Sequence, residues 1–407
     1  MKRAFPRAVG VMALGLSLGS LAWAATATMP PTVPFQINSA DGSLGTPVDG
    51  ATTKSLSLTG NTVTLNSGTV AGYVVGAVNT EDYSGAITGN TVYINGGTVG
   101  LDVYGGWATV YDPDAATSSN KVVISAGTVS GNVFGGYSVN TGDSNSVTIS
   151  GGTVSGTVYG GFGPSITGNS VTISGGTVSG SVYGAGAPNA LTKADNNTVT
   201  ISGTPVFDPA TTVLGGVGRL ISCPPPGPCP FFSPSDTTNN NLNLHSAGLT
   251  VKDIVSFNAL NFYLPASLST GTPVLTVTDA ASLTTGSASA ETSTVTVQID
   301  PTSPATLSDG TTYTLISAPK GTLYVPSPFT PVSGTITDAT STAFPYTVDV
   351  DTTSATADTL VLKVGTGTPL QRTTTTTPVP ANGPASLALL ALLLAATGWL
   401  ARRGVKR

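Results

Sequence analysis

A period-two alternation of β-branched and small polar residues dominates the middle of the chain. After Asn145, Val147 and Ile149 alternate with serine and threonine, which predicts a strand with one apolar face. Gly151 and Gly152 follow, where a tight corner needs a backbone conformation that glycine adopts most easily. Val154 and the residues at 158–161 then predict two further short strands before the phrase begins again.

This phrase recurs along residues 57–207, and its variable part always follows the last glycines of a copy. Loops gathered at one place in each unit are typical of a solenoid, in which a unit buries its apolar face only by stacking on its neighbours. We therefore predict an all-β chain, a right-handed parallel β-helix or similar β-solenoid of about six repeats; a series of small hairpins is the alternative. The copies start at Asn61, Asn90, Asn120, Asn145, Asn169 and Asn197.

The segments around the repeats are less regular. Residues 25–56 are a polar lead-in that we expect to cap the solenoid, and residues 208–249 are a Pro- and Asn-rich loop and transition. Residues 250–365 contain alternating strands, which continue the solenoid or form a small β-sandwich, with continuation slightly favoured. Residues 366–384 form a Thr/Pro-rich linker that we expect to be extended.

The N-terminus has the layout of a secretory signal peptide. Basic residues precede a short apolar run at 8–21, and Ala22 and Ala24 supply the small side chains of a cleavage site. Residues 1–24 are therefore predicted to be removed during export, with cleavage after Ala27 as the second choice. The apolar run is too short for a membrane-spanning helix.

The C-terminus has the layout of a membrane anchor. Residues 385–401 are uncharged and rich in Leu and Ala, at the short limit for a single transmembrane helix. Residues 402–407 include Arg402 and Arg403, which the positive-inside rule places in the cytoplasm. The chain is thus expected to be held in the inner membrane, facing the periplasm, at least for a time.

The motif at residues 379–384, together with the helix that follows it and the basic end, resembles the C-terminal sorting signals called PEP-CTERM and IPTL-CTERM in Gram-negative bacteria. The resemblance implies cleavage near the motif by an exosortase- or rhombosortase-like protease and transfer to the cell surface. The motif lacks the Pro-Glu-Pro core of the PEP-CTERM type and the Glu-Trp of the IPTL-CTERM type, so the identity of the protease that would cleave it is left open. A plain membrane anchor is the alternative to a sorting signal. Its residues are Val379, Pro380, Asn382 and Pro384.

The repeats and the segments at 241–253 and 257–265 resemble the glycine-rich passenger regions of Gram-negative autotransporters and adhesin-like proteins. The resemblance covers about residues 57–280 and implies a surface-exposed β-helix with an adhesive or stalk role. An autotransporter also needs a membrane barrel of about ten or more amphipathic strands, and no such block is visible in the sequence. We expect the sorting signal to take the place of the barrel.

Charge composition narrows the function classes. The chain has 15 basic and 20 acidic residues, one His and two Cys, and its net charge is −5. Since seven basic residues lie in the two terminal signals, residues 25–384 carry a net charge of −12. This acidity argues against nucleic-acid binding, and the scarcity of general bases and metal ligands argues against an enzyme, a metal site or a cofactor.

Two sets of residues are candidates for a structural or binding role. Cys223 and Cys229 enclose a proline-rich loop and are predicted to form a disulfide, because a redox or metal site would need further ligands. One aromatic residue recurs at the same position of four repeats. We expect a stacked column inside the solenoid, whereas outward-facing rings would favour a carbohydrate-binding strip. These rings are Tyr104, Phe134, Tyr159 and Tyr183.

The remaining polar candidates are interpreted as structural. The repeated asparagines are expected to form a hydrogen-bonded ladder at a coil corner. The acidic pairs at 81–82, 112–114 and 349–351 do not recur in register, as the carboxylates of a glycosidase or lyase would, and His245 has no paired nucleophile. We therefore predict no catalytic and no metal-binding residue.

These observations favour a non-enzymatic exported protein, an adhesin-like or matrix-forming β-solenoid at the cell surface, in the outer membrane or outside the cell after processing. Its expected partners are the export machinery, the sorting protease, the membrane and a host or matrix polysaccharide. The alternatives are a polysaccharide-binding or polysaccharide-degrading β-helix and a periplasmic protein that stays tethered to the inner membrane.

Overall fold

The computed structural model describes residues 57–79, 86–109, 115–187, 193–219, 237–285, 291–325 and 329–370, and three strands before them. All regular elements in these ranges are β-strands, so the all-β prediction is confirmed for the described part of the chain. Within the same ranges, no helix is long and apolar enough to cross a membrane. The predicted signal peptide, sorting motif, transmembrane helix and basic tail lie outside them.

Most described strands belong to four sheets, because each turn of the chain between residues 57 and 207 adds one strand to each sheet. The first sheet contains Phe35–Ile37, Thr62–Leu65, Thr91–Ile94, Lys121–Ile124, Ser146–Ile149, Ser170–Ile173, Thr198–Ile201, Asn241–Leu244, Ala259–Leu264 and Thr294–Ile299. The second sheet contains Ser43–Leu44, Thr69–Val70, Thr98–Val99, Thr128–Val129, Thr153–Val154, Thr177–Val178 and Val206–Phe207.

The third sheet is the one that extends furthest along the chain. It contains Val48–Asp49, Val74–Val75, Val78–Asn79, Val103–Ala108, Val133–Ser138, Val158–Phe162, Val182–Ala187, Val213–Arg219, Leu249–Val255, Leu275–Ser282, Thr312–Pro319, Leu323–Tyr324, Val332–Thr337, Thr342–Asp351 and Ala357–Val364. The fourth contains Ser57–Thr59, Ala86–Thr88, Ala116–Ser118, Thr141–Asp143, Ser165–Thr167 and Lys193–Asp195. Thr284–Thr285 pairs with Glu291–Thr292, and Thr368–Pro369 is a further short strand.

The repeats stack in parallel and in register. Val147 pairs with Val122 on one side and with Val171 on the other, and Ile149 pairs in the same way with the isoleucines of its neighbours. These side chains are almost completely buried in one continuous core. The predicted parallel β-solenoid is therefore the fold of the repeat region, since each coil buries its apolar face against the next coil.

A ladder of buried asparagines joins the coils at one corner. The backbone N–H and Nδ2 of Asn145 both donate to Oδ1 of Asn169, over 2.8 and 3.2 Å. Oδ1 of Asn145 accepts the same two bonds from Asn120, each 3.0 Å long, and its Nδ2 also donates to the Thr117 carbonyl. Every hydrogen-bonding group of this buried amide is thus paired, as burial requires. The ladder runs through Asn61, Asn90, Asn120, Asn145, Asn169, Asn197, Asn240 and Asn258.

Glycine is required at two kinds of position beside this ladder. Gly152 turns the corner after the first strand with φ of +77°, a conformation that other residues rarely adopt. Gly136 lies directly against the ladder, because a Cβ atom there would be 2.5 Å from Cγ of Asn145. The glycine pairs of the repeat therefore serve both the corner and the close approach of the backbone to the asparagines.

The parallel stack continues beyond residue 207. Asn241–Leu244, Ala259–Leu264 and Thr294–Ile299 add to the first sheet in the same orientation. The third sheet stays parallel up to Thr312–Pro319 and then turns antiparallel, first with Ala357–Val364. Region 250–365 thus begins as further solenoid and ends in antiparallel strands that cover its edge, as exposed edges require.

Candidate functional site

The four recurring aromatic residues form one column on the third sheet. The ring centroids of Tyr104 and Phe134 are 4.9 Å apart with an interplanar angle of 5°. The next pairs, Phe134 with Tyr159 and Tyr159 with Tyr183, are 5.2 and 5.6 Å apart and also stacked. The parallel register produces this column, because it places equivalent residues of successive coils directly above one another.

A second aromatic column, which was not predicted, runs beside the first. It consists of Trp107, Tyr137 and Phe162, each three residues after a ring of the first column. Tyr137 and Phe162 stack at 4.9 Å, whereas Tyr137 meets the ring of Phe134 edge-on at 5.5 Å. The signal was present in the sequence, since these three copies each have an aromatic residue on both sides of the glycine pair.

Both columns belong to one packed cluster that is separate from the central core. Val133 belongs to that core, and successive residues of a strand point to opposite faces, so Phe134 points outward. The rings nevertheless cover one another, leaving Tyr104, Phe134 and Tyr159 only 7, 3 and 1% exposed. A sugar needs a free ring face for stacking, and the faces of these three rings are taken by their neighbours. The geometry therefore favours a packing role for the column.

Small side chains end both columns. Val75 and Val78 precede the first rings in register, while Gly186 and Gly215 follow the last ones. A Cβ atom at Gly215 would lie 2.4 Å from the ring of Tyr183, so glycine leaves room for this last ring. The two columns thus end at these four residues, and Tyr73 of the preceding coil still meets the ring of Trp107 edge-on at 5.2 Å.

Polar groups of the cluster are held by specific partners. The Tyr104 hydroxyl donates to Oδ2 of Asp102 over 2.8 Å, and Oδ1 of Asp102 accepts the backbone N–H of Asn132. Burial raises the pKa of the Tyr104 hydroxyl well above its usual range, and the charge of Asp102 raises it further. Burial also raises the pKa of Tyr159 and Tyr183. These phenols therefore stay neutral and act as hydrogen-bonding groups.

The acidic pair at 349–351 lies on one of the antiparallel strands, and both carboxylates bond to neighbouring groups of the protein. Asp349 lies 2.9 Å from the ammonium group of Lys363, and the side chain of Asp351 accepts two hydrogen bonds from Thr353. The pairs at 81–82 and 112–114 lie outside the described residues. Among those that are described, no group of three or more His, Cys, Asp or Glu side chains could hold a metal ion.

His245 joins the end of one strand of the first sheet to a loop. Its Nδ1 lies 3.2 Å from Oδ2 of Asp300, and its ring stacks on Tyr263 at 4.0 Å. Burial would raise the pKa of Asp300, but hydrogen bonds from Thr302, Ser303 and His245 outweigh it and lower that pKa. This arrangement fixes the imidazole between the loop and the ring, in keeping with a structural role.

The first sheet presents a regular polar face to solvent. We define the polar face as two columns of outward-pointing side chains, one from Thr62 to Thr294 and one from Thr64 to Thr296, both paired in register. All positions of these columns lie in the described ranges, and Lys121 is their only charged residue. Hydroxyl and amide side chains make up most of the face.

The other predicted sites lie outside the described residues. They are the disulfide Cys223 and Cys229, the signal-cleavage residues Ala22 and Ala24, and the sorting residues Val379, Pro380, Asn382, Pro384, Arg402 and Arg403.

Comparison of the chain with models of protein families, with curated proteins and with solved structures found no match.

Proposed function

We propose that this chain is a non-enzymatic, exported surface protein, an adhesin-like or matrix-forming β-solenoid that is anchored and then processed at its C-terminal sorting motif. The observation that supports this proposal most is the asparagine ladder together with the in-register stack. A solenoid whose successive coils from Asn61 to Asn240 are each tied by two buried hydrogen bonds is a stiff rod, which suits a stalk or spacer better than a site that closes around a substrate.

The length of this rod supports the same function. Eight inter-strand steps separate Thr62–Leu65 from Thr294–Ile299 in the first sheet, about 38 Å at the spacing of parallel strands. The Thr- and Pro-containing segment that follows would add an extended spacer between the rod and the membrane. Together they would hold the solenoid away from the surface to which the chain is anchored.

The described carboxylates fit a non-enzymatic protein. Asp338 receives hydrogen bonds from Thr340 and from the backbone of Leu307, and Asp358 pairs with Lys320 at 2.9 Å. A glycosidase or lyase instead holds its carboxylates beside one another on an open groove. The acids here are used to hold loops and strand ends in place.

Surface display and processing are tested together in cells that produce the full chain. We expect external protease to digest the protein on intact cells, and intact-mass measurement of the surface form to show that residues 385–407 have been removed. Alanine substitution of Pro380 and Pro384 is expected to leave these residues attached, whereas Thr375→Ala serves as the control in the adjacent threonine run.

Each alternative gives a different result in the same experiment. A periplasmic protein tethered to the inner membrane would resist external protease until the outer membrane is permeabilised. A surface form that retains residues 385–407 would contradict processing at the sorting motif and leave a plain anchor.

A further inference from the structure

The polar face differs from the rest of this acidic protein in being almost without charge. Its centre is a block of hydroxyl groups from three successive coils, in which each strand contributes two side chains. All six are half-buried. They are Ser146, Thr148, Ser170, Thr172, Thr198 and Thr200. The one charged residue, Lys121, lies beside Tyr93 and Val123 toward the N-terminal end of the face.

Side chains at the C-terminal end of the face, next to the hydroxyl block, are already ordered by hydrogen bonds to one another. Nδ2 of Asn243 donates to the Thr200 hydroxyl over 3.3 Å, and Nδ2 of Asn261 donates to Oδ1 of Asn243 over 2.8 Å. The Thr296 hydroxyl donates to Oδ1 of Asn261 over 2.6 Å. A ligand that docks on such side chains immobilises few new rotamers, so its binding costs little conformational entropy.

The spacing of the face suits a ligand that repeats. Equivalent groups recur every strand, about 4.8 Å apart, and every second residue along a strand, about 6.6 Å apart. A small molecule would use a few of these groups, whereas a polymer with hydroxyl groups at regular intervals can use the whole face. The hydroxyl and amide groups both donate and accept hydrogen bonds, as sugar hydroxyls do.

The same chemistry excludes two other classes of polymer. Nucleic acids are bound chiefly through lysine and arginine at their phosphates, and the two columns offer only Lys121. Protein interfaces concentrate aromatic and other large apolar residues at their centre, but the centre of this face consists of Ser and Thr.

We propose that the polar face is a docking surface for a neutral polysaccharide, with the hydroxyl block at its centre. This inference rests on the proposed surface function, because it is at the cell surface that the protein would meet such a polymer. Without charge at the contact, binding is expected to change little between about 0.05 and 0.5 M salt, where exposed ionic contacts weaken strongly.

The test uses purified full-length protein and four defined polymers: cellulose, chitin, dextran and anionic alginate. We expect retention on at least one of the neutral three and salt-insensitive binding. Thr148→Lys and Thr172→Lys would place a hydrated charge within the hydroxyl block and are expected to weaken retention about tenfold. Thr153→Lys and Thr177→Lys are matched controls on the second sheet of the same coils and should bind like the parent chain.

Three outcomes would overturn the proposal. These are no retention on cellulose, chitin or dextran; equal loss in the face variants and their controls; and binding to alginate alone that disappears with salt. Urea unfolding of all four variants shows whether a loss comes from the face or from the fold, and Thr172→Asn, which keeps a polar neutral side chain, should retain binding. Protease accessibility on intact cells is a separate readout, so failure of the surface function would be distinguished from failure of this site.

Discussion

Replacing Asn145 with alanine is expected to lower the free energy of unfolding by about 3–5 kcal/mol. Asn145 is fully buried, and its Oδ1 is the acceptor for both the backbone N–H and the Nδ2 of Asn120. Alanine removes this acceptor and also the Nδ2 group that donates to Oδ1 of Asn169 and to the Thr117 carbonyl. The backbone N–H of Asn145 keeps its bond to Oδ1 of Asn169 in the variant, because that acceptor belongs to Asn169. The largest loss is therefore expected at the coil of Asn120, which loses both of its bonds to Asn145.

Urea unfolding measures the total effect, and hydrogen exchange shows where it falls. Because coils interact mainly with their neighbours, faster exchange is expected over residues 115–187 and not over 312–319. Asn95→Ala is the control: its amide is exposed and bonds only to surface partners, so the expected loss is about 0.5 kcal/mol. Equal losses in the two variants would show that the ladder does not hold the coils together.

Replacing Phe134 with alanine is expected to cost about 3–5 kcal/mol, as for other buried aromatic residues. Its ring is 3% exposed, lies between Tyr104 and Tyr159, and meets Tyr137 edge-on. Its removal would leave a gap in the first column and uncover the ring faces on both sides. Phe134→Tyr should be nearly neutral by comparison, because tyrosine occupies the same position in three other coils.

The control for this variant is Tyr324→Ala, since Tyr324 is 54% exposed. Urea unfolding should then show a loss of about 0.5 kcal/mol or less. If Phe134→Ala cost under about 1 kcal/mol, the rings would not form the packed cluster described above, and a binding role for the column would have to be reconsidered.

Much of the repeat architecture could be predicted from local pattern. The alternation around Val147 predicts both the strand and its buried face, and Gly152 predicts the corner that the structure places at positive φ. Asn145 could be assigned to a ladder because one asparagine starts every copy. These features depend on one coil and its nearest copies, and the sequence contains both.

Features that depend on several coils were harder to predict. Asn240 and Asn258 continue the ladder, but the spacing changes to 43 and then 18 residues, so a search for a constant period passes over them. The alternation of leucines or Phe262 with polar residues in the strands that follow these two asparagines was visible in the sequence. The burial of Phe134 could not be read from its own strand, because rings from other coils and from the second column cover it.

The change from parallel to antiparallel pairing after Pro319 had no local signal. Ala357–Val364 and Thr342–Asp351 alternate as any half-buried strand does, and their partners are set by long-range contacts. The sequence therefore left continued solenoid and β-sandwich open for this region, and the structure combines a parallel beginning with an antiparallel end.

One stiff stack of coils runs from the first repeats to the strand at 294–299. Pulsed electron spin resonance between cysteine-linked spin labels tests it directly, with one label at Thr62 and the other at Ser170 or Thr294. Four and eight inter-strand steps predict narrow distance distributions centred at about 19 and 38 Å. Distances that fail to double, or broad distributions for the longer pair, would contradict a continuous rod.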